Sequence, residues 1–169
     1  MKKIIIRYGI YSSLTLIVLF GLTFLLGKNL DFGASEKLGY ASILIGMIFV
    51  YLGIREYREK IGGGKISFWK AVKVGLLIVS IPSIVFGLID VIYVTFIDPD
   101  FIENFYNHSL AEMKTNLSAA EYEIKAAEIE SQKALFSNIF FQFVIMGLTV
   151  FLIGIVASFV SSFILKTED

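Results

Sequence analysis

The chain has 169 residues, 56% of them hydrophobic, with a mean hydropathy of +0.77 and no net charge from fifteen bases and fifteen acids. A soluble domain of this length cannot hide several apolar runs of bilayer length from water, so the composition points to one polytopic membrane domain. Balanced charge gives no basic excess for nucleic acid, and the lack of cysteine removes disulfides, thiolate metal sites and cysteine nucleophiles.

The first apolar run, Tyr8 to Gly27, is twenty residues without a charge behind a Met-Lys-Lys start. It is too long for a signal peptide, and Leu25-Leu26-Gly27 has no small-x-small cleavage pattern, so it reads as a retained anchor. A short outer loop, Lys28 to Lys37, leads to the second run, Leu38 to Ile54, which has seventeen residues. Roughly 20 helical residues cross a ~30 Å hydrocarbon layer, so this run needs Lys37 and Arg55 to snorkel at its ends. Arg55 to Lys73 follows as an inner loop holding six of the fifteen bases.

That loop centres on Gly62-Gly63-Gly64. A phosphate loop requires glycines five apart followed by Lys and a hydroxyl residue after a strand, and Gly64-Lys65-Ile66 has neither spacing nor hydroxyl. The plainer reading is a break that ends one helix and lets the next begin, with Ser67 as its cap. Phe68, Trp69, Lys70 and Lys73 then form an interfacial entry to the third run, with Trp69, Lys70 and Lys73 as candidate contacts to anionic lipid.

The third run, Val74 to Ile97, is twenty-four residues interrupted only by Asp90, with Pro82 as a kink whose freed carbonyls Ser80 or Ser83 are placed to satisfy. Asp98-Pro99 is a helix start, followed on one face by Phe101, Ile102 and Phe105, then Leu110, Met113 and Leu117. Ser118-Ala-Ala-Glu121 fits a capping box for a second helix that turns Tyr122, Ala126, Ile129 and Phe136 inward. A two-helix hairpin over about 98–136 is expected, and Asp98 to Lys133 carries eight acids against three bases. Its acidic faces suit solvent, or a cation or basic partner. Asn107-His-Ser109 and Asn116-Leu-Ser118 match the short glycosylation pattern, which has meaning only in a eukaryotic secretory route. His108 has no second imidazole and reads as a surface or packing residue, so metal is not expected.

The last run, Ala134 to Leu165, is thirty-two residues, too long for lipid alone, so the turns around Phe136 to Phe141 project into water. The expected architecture is all-α, with spans at about 8–27, 38–54, 74–97 and 138–165 in a single membrane domain. Ten bases flank the proposed inner side and five the outer, while acids distribute four to ten the other way. The Lys and Arg bias places both termini in the cytoplasm and the hairpin outside.

Small residues mark the helix faces for close packing. Gly39, Gly46 and Gly53 recur every seven residues, and Gly154, Ser158 and Ser162 every four. Packing within the chain and a homodimer seam both fit such stripes. Asp90 is the only ionisable group inside a span, and a carboxylate in hydrocarbon costs at least ~3 kcal/mol, so it must face protein or water. Gly87 and Tyr93 lie one turn away on either side, making Asp90 and Tyr93 the candidate intramembrane polar site. A helix-packing role, a proton or cation site, and a contact to lipid headgroup or partner all suit this acid.

Gly63-Gly64-Lys65-Ile66-Ser67-Phe68 with Ala71, Lys73, Val74 and Gly75, then Pro99-Asp-Phe-Ile-Glu103 and Gly154-Ile-Val-Ala-Ser158, resembles the bacterial membrane-protein family called domain of unknown function 4199. The resemblance covers most of the chain and implies a four-helix bacterial inner-membrane protein without an established activity. Its pattern carries an acid and a proline in the final span, where this chain has Thr149 and Leu152, and it supplies no catalytic, cofactor or binding residues.

The four spans hold no His, Cys, Lys or Arg, and one acid cannot be nucleophile, base and electrophile together. Neither an aspartate pair nor a Ser-His pair for intramembrane proteolysis exists. A non-enzymatic accessory or scaffold protein without cofactor is expected, with the bilayer, other membrane proteins or a second copy as partners. A small transporter or channel subunit built on Asp90 is the alternative.

Overall fold

The computed structural model describes residues 1–27 and 32–167, and these form six α-helices and one π-helix. They are α1 (Lys2–Gly27), α2 (Phe32–Lys60), α3 (Phe68–Ile92) running on as a π-helix (Tyr93–Ile97), α4 (Phe101–Asn116), α5 (Ala119–Phe136) and α6 (Ile139–Leu165). Four stretches are long and apolar enough to cross a membrane: Lys2–Thr23, Gly33–Lys60, Phe68–Ile97 and Ile139–Leu165. Of the expected outer loop, residues 28–31 lie outside the described residues, and 33–37 are already helical. Charge marks where a chain meets water, not where a helix stops, so α1 and α2 run on into their basic flanks.

The chain forms two compact units, Met1–Phe86 with Gly147–Asp169, and Gly87–Met146. In the first, polarity is inverted relative to a water-soluble domain. Ser12, Ser13, Ser42, Ser83, Ser158, Ser161 and Ser162 are buried, whereas Leu14, Val18, Leu44, Ile48, Leu152, Val156, Val160 and Phe163 are exposed. Such an exterior is stable only where hydrocarbon surrounds it. The hydroxyls of Ser13, Ser42, Ser80 and Ser158 donate to the carbonyls of Gly9, Leu38, Leu76 and Gly154, each one turn back, at 2.7–2.9 Å. Ser12 instead reaches across from α1 to the Gly46 carbonyl of α2 at 2.9 Å.

The triple glycine ends α2. Gly63 and Gly64 sit at φ +61° and +86°, the left-handed region that side chains resist, and the Gly64 N–H returns to the Arg58 carbonyl at 3.0 Å. Ser67 directly precedes α3, and its carbonyl accepts the Ala71 N–H at 3.0 Å. The turn is clasped by the end of α6: Thr167 N–H donates to the Ile66 carbonyl at 3.0 Å, and Ile66 N–H to Thr167 Oγ1 at 2.8 Å. Arg58 adds a contact to the Leu165 carbonyl at 3.4 Å. At Pro82 the outcome differs from expectation. Ser80 and Ser83 donate to Leu76 and Val79, not to the Ile78 carbonyl four residues before the proline.

In the second unit, α3 passes into the π-helix, where the Asp98 N–H reaches the Tyr93 carbonyl at 2.9 Å. Asp98-Pro99 is a turn, and α4 begins later with Asp100 as its N-cap, because the Asp98 carbonyl is taken by the Phe101 N–H at 3.1 Å. The hairpin forms as the sequence indicates, closed on Tyr106 and Ile129, both buried. Tyr106 packs against Phe105 and Phe136 at ring separations of 5.5 and 6.4 Å. The inward residues read from the spacing did not include Tyr106, which lies one turn beyond Ile102. Ser118 donates to Glu121 from its N–H at 3.1 Å and its hydroxyl at 2.6 Å, the capping box at the head of α5. The final uncharged run is not continuous. Asn138 breaks it, its Oδ1 accepting the N–H groups of Phe140 and Phe141 at 3.0 and 3.1 Å to start α6.

The Ser118 hydroxyl and N–H hold the Glu121 carboxyl below its ordinary value of 4.5. A carboxyl lowered by folding stabilises above the ordinary value and loses that contribution as pH falls through the folded value. Amide exchange protection in the first turn of α5 is therefore expected to be full at neutral pH and to fade in acid. Ser118→Ala should cut that protection ~5-fold at neutral pH, and protection insensitive to both changes would refute the cap.

Candidate functional site

Asp90 lies three residues before the start of the π-helix, on α3, half-buried. Its Oδ2 accepts Gln142 Nε2 of α6 at 2.6 Å. Gln142 is the only carboxamide side chain in α1, α2, α3 and α6, and it is 1% exposed. Gly87, one turn before Asp90, permits this approach: a Cβ there would stand 2.6 Å from the Phe143 carbonyl and 2.9 Å from its ring. Any side chain at Gly87 would push the two helices apart and stretch the bond beyond it. Gln142 Oε1 is buried without a partner, a condition that costs ~1–3 kcal/mol for an amide oxygen.

Tyr93 also takes part in contacts on the far side of the π-helix. Its hydroxyl donates to Asp98 Oδ2 at 3.3 Å while its ring packs edge-on against Phe101 at 5.4 Å. The π-helix begins at Tyr93 and runs forward from it, the Asp98 N–H reaching the Tyr93 carbonyl at 2.9 Å. Gln142 is a bonded partner of Asp90 that the sequence reading did not name. The sequence carried a signal for it, since two isolated polar groups in separate apolar spans each need a partner.

The small-residue stripes lie against the chain's own helices. A Cβ on Gly39 would sit 3.6 Å from Phe20, on Gly46 3.1 Å from Leu16, and on Gly53 3.1 Å from Tyr8 and 2.5 Å from Ile78. Ser158 Oγ stands 2.7 Å from where a Gly75 Cβ would be, Gly154 is packed against Val79, and Ser162 is buried with its hydroxyl unpartnered. Trp69 is 71% exposed and packs edge-on with Phe68 and Phe159 at 5.2 and 6.3 Å, with Lys70 and Lys73 exposed beside it.

A second polar cluster was missed by sequence reasoning. Glu56 of α2 accepts Arg7 and the Tyr8 hydroxyl from α1, the latter at 2.7 Å, and pairs with Lys60 Nζ at 3.1 Å. Counted in the sequence only as one acid of the inner side, Glu56 ties the start of α1 to the end of α2. The Arg7 guanidinium also lies 5.1 Å from the Tyr8 ring centre. Among the described residues no three His, Cys, Asp or Glu side chains gather as a metal-holding group.

The Asp90–Gln142 bond predicts asymmetric costs. Gln142→Leu strands a carboxylate between helices and should destabilise the protein by ~1–3 kcal/mol. Replacing both residues with leucine should recover most of that loss. Thermal unfolding in detergent measures both, and equal losses from the single and double variants would show that the bond is not what holds this contact.

No curated protein and no solved structure matches the chain. The model of one family, described as protein of unknown function (DUF4199), matches residues 7–167, nearly the whole chain. The chain thus belongs to this family, DUF4199.

Proposed function

We propose that the protein is a non-enzymatic accessory or scaffold subunit of the bacterial inner membrane, with both termini cytoplasmic and the α4–α5 hairpin on the opposite side. The observation that carries this reading is the hairpin. It closes on its own aromatic core and leaves Glu121, Glu123, Glu128 and Glu130 exposed around Ile124, itself 63% exposed. A shallow groove lined by Leu117, Glu121, Ile124 and Lys125 adjoins that side chain. An apolar centre flanked by Glu121 and by the Lys125–Glu128 ion pair at 2.8 Å, on a helix that also exposes Glu123 and Glu130, suits a protein partner that brings apolar and basic groups. The small-residue stripes lie against the chain's own helices, so the hairpin rather than a span seam is the docking surface. Orientation rests on the ten-to-five bias of Lys and Arg, and the exposed Trp69, Lys70 and Lys73 suit the headgroup layer of the cytoplasmic leaflet.

A second reading, a small transporter or channel subunit using Asp90 as a proton or cation site, is favoured by one observation: the unpartnered, buried Gln142 Oε1 on the side chain bonded to Asp90.

Purification of the full chain from native membranes in mild detergent, with mass spectrometry of what accompanies it, tests the first reading. Companions retained by the wild type and by Asp90→Asn should fall at least ~5-fold when Ile124→Lys and Glu128→Lys are combined. Retention unchanged by the hairpin substitutions would refute the reading. For orientation, Ser118→Cys should react with an impermeant maleimide in intact spheroplasts, and protection until permeabilisation would reverse the assignment.

A further inference from the structure

We propose that Asp90 and Gln142 form a proton-binding site in which the Gln142 carboxamide inverts with the charge of Asp90, donating to the carboxylate and accepting from the acid. This rests on the part of the second reading that assigns Asp90 a proton, and not on transport. An ionised carboxylate only accepts hydrogen bonds, so it takes the amide Nε2, as observed at 2.6 Å. A neutral carboxyl carries an O–H that needs an acceptor. Gln142 Oε1 is such an acceptor, the one buried side-chain oxygen of the Gly87–Met146 unit without a partner among the described residues.

Rotation of the terminal amide by half a turn exchanges Nε2 for Oε1 at nearly the same position. That torsion is broad and close to two-fold, so the exchange requires no movement of α3 or α6. The balance is simple: a proton leaves hydronium, forms an O–H bond on Asp90, and cancels the charge. The half-buried Asp90 meets the proton, and Gln142, 1% exposed, responds to it.

Two further observations support the assignment. The approach at Gly87 brings α6 close enough for a single direct bond, with no side chain between. The π-helix starts three residues after Asp90, a form that recurs in single turns beside functional groups. A proton fits better than a metal ion, which would need about six oxygens where this pair offers one carboxylate and one amide. The ionisable groups near Asp90 on its own strand of helix are Tyr93 and Asp98, bonded to each other at 3.3 Å. α6 brings none, since Ile139–Leu165 contains no ionisable side chain.

Infrared difference spectroscopy of the full chain in lipid nanodiscs, with isotope-labelled glutamine, tests this. The chain has two glutamines, and Gln132→Ala on the exposed face of α5 leaves Gln142 as the only label. As pH is lowered, a carboxylic-acid carbonyl band should appear and the labelled amide band should shift with the same midpoint. Asp90→Asn should abolish both, whereas Gln142→Leu should keep the acid band and shift its midpoint by about tenfold in proton concentration. An acid band that titrates while the labelled amide stays fixed would overturn the inversion. Absence of any band lost in Asp90→Asn would overturn the proton site itself. Both bands present without proton flux in sealed vesicles would refute transport and leave this proposal standing.

Discussion

The structure depends on a hydrocarbon surround in which no polar group can turn to solvent for a partner. Every serine bond described along the spans follows from it. Ser13, Ser42, Ser80 and Ser158 close on carbonyls one turn back, within their own helices. Ser12 is turned outward from α1 onto a carbonyl of α2, where Gly46 leaves that backbone open to approach. Without a hydrophobic drive between helices, contact must come from close packing and such bonds, and glycines and serines permit both.

The same constraint organises the ends of the spans. At one end of the α1–α2 pair, Glu56 gathers Arg7, Tyr8 and Lys60 into a neutralising cluster. The following turn is fastened by paired main-chain and side-chain bonds between Ile66 and Thr167. The end of α2 and the end of α6 therefore meet at the turn from which α3 departs.

Much of this architecture was legible in the residues. Uncharged runs of bilayer length marked the four apolar helices, and Ser118 with Glu121 marked the start of α5. The glycine run marked the end of α2 because two of its members need positive φ. Less legible were features whose signal is a single polar atom. Asn138 interrupts an apolar run only because its side chain can bond two backbone N–H groups. Asp98 looked like a cap, yet its carbonyl is used in a turn and the helix begins beyond it. Tyr93 was placed beside Asp90 by α-helical spacing, and its bond to Asp98 across the π-helix had no signal in that spacing. Glu56 was hidden in a count of acids, and Gln142 in a count of charges, since neither tally registers a pairing across helices.

The π-helix also changes how this part of the chain tolerates insertions and deletions. A π turn holds about one residue more than the α turn it replaces, while a rise of ~1.5 Å per residue is lost if that residue is removed. Deleting one residue between Tyr93 and Ile97 could thus be absorbed by relaxation to ordinary α-helix, with the hairpin preserved. A deletion in the regular α-helical part of α3 has no such slack, because one residue of α-helical register is about 100° of rotation and the chain would leave α3 on another azimuth. The five residues Tyr93–Ile97 are accordingly where the chain has slack in length, between Asp90 on one side and the acidic hairpin on the other.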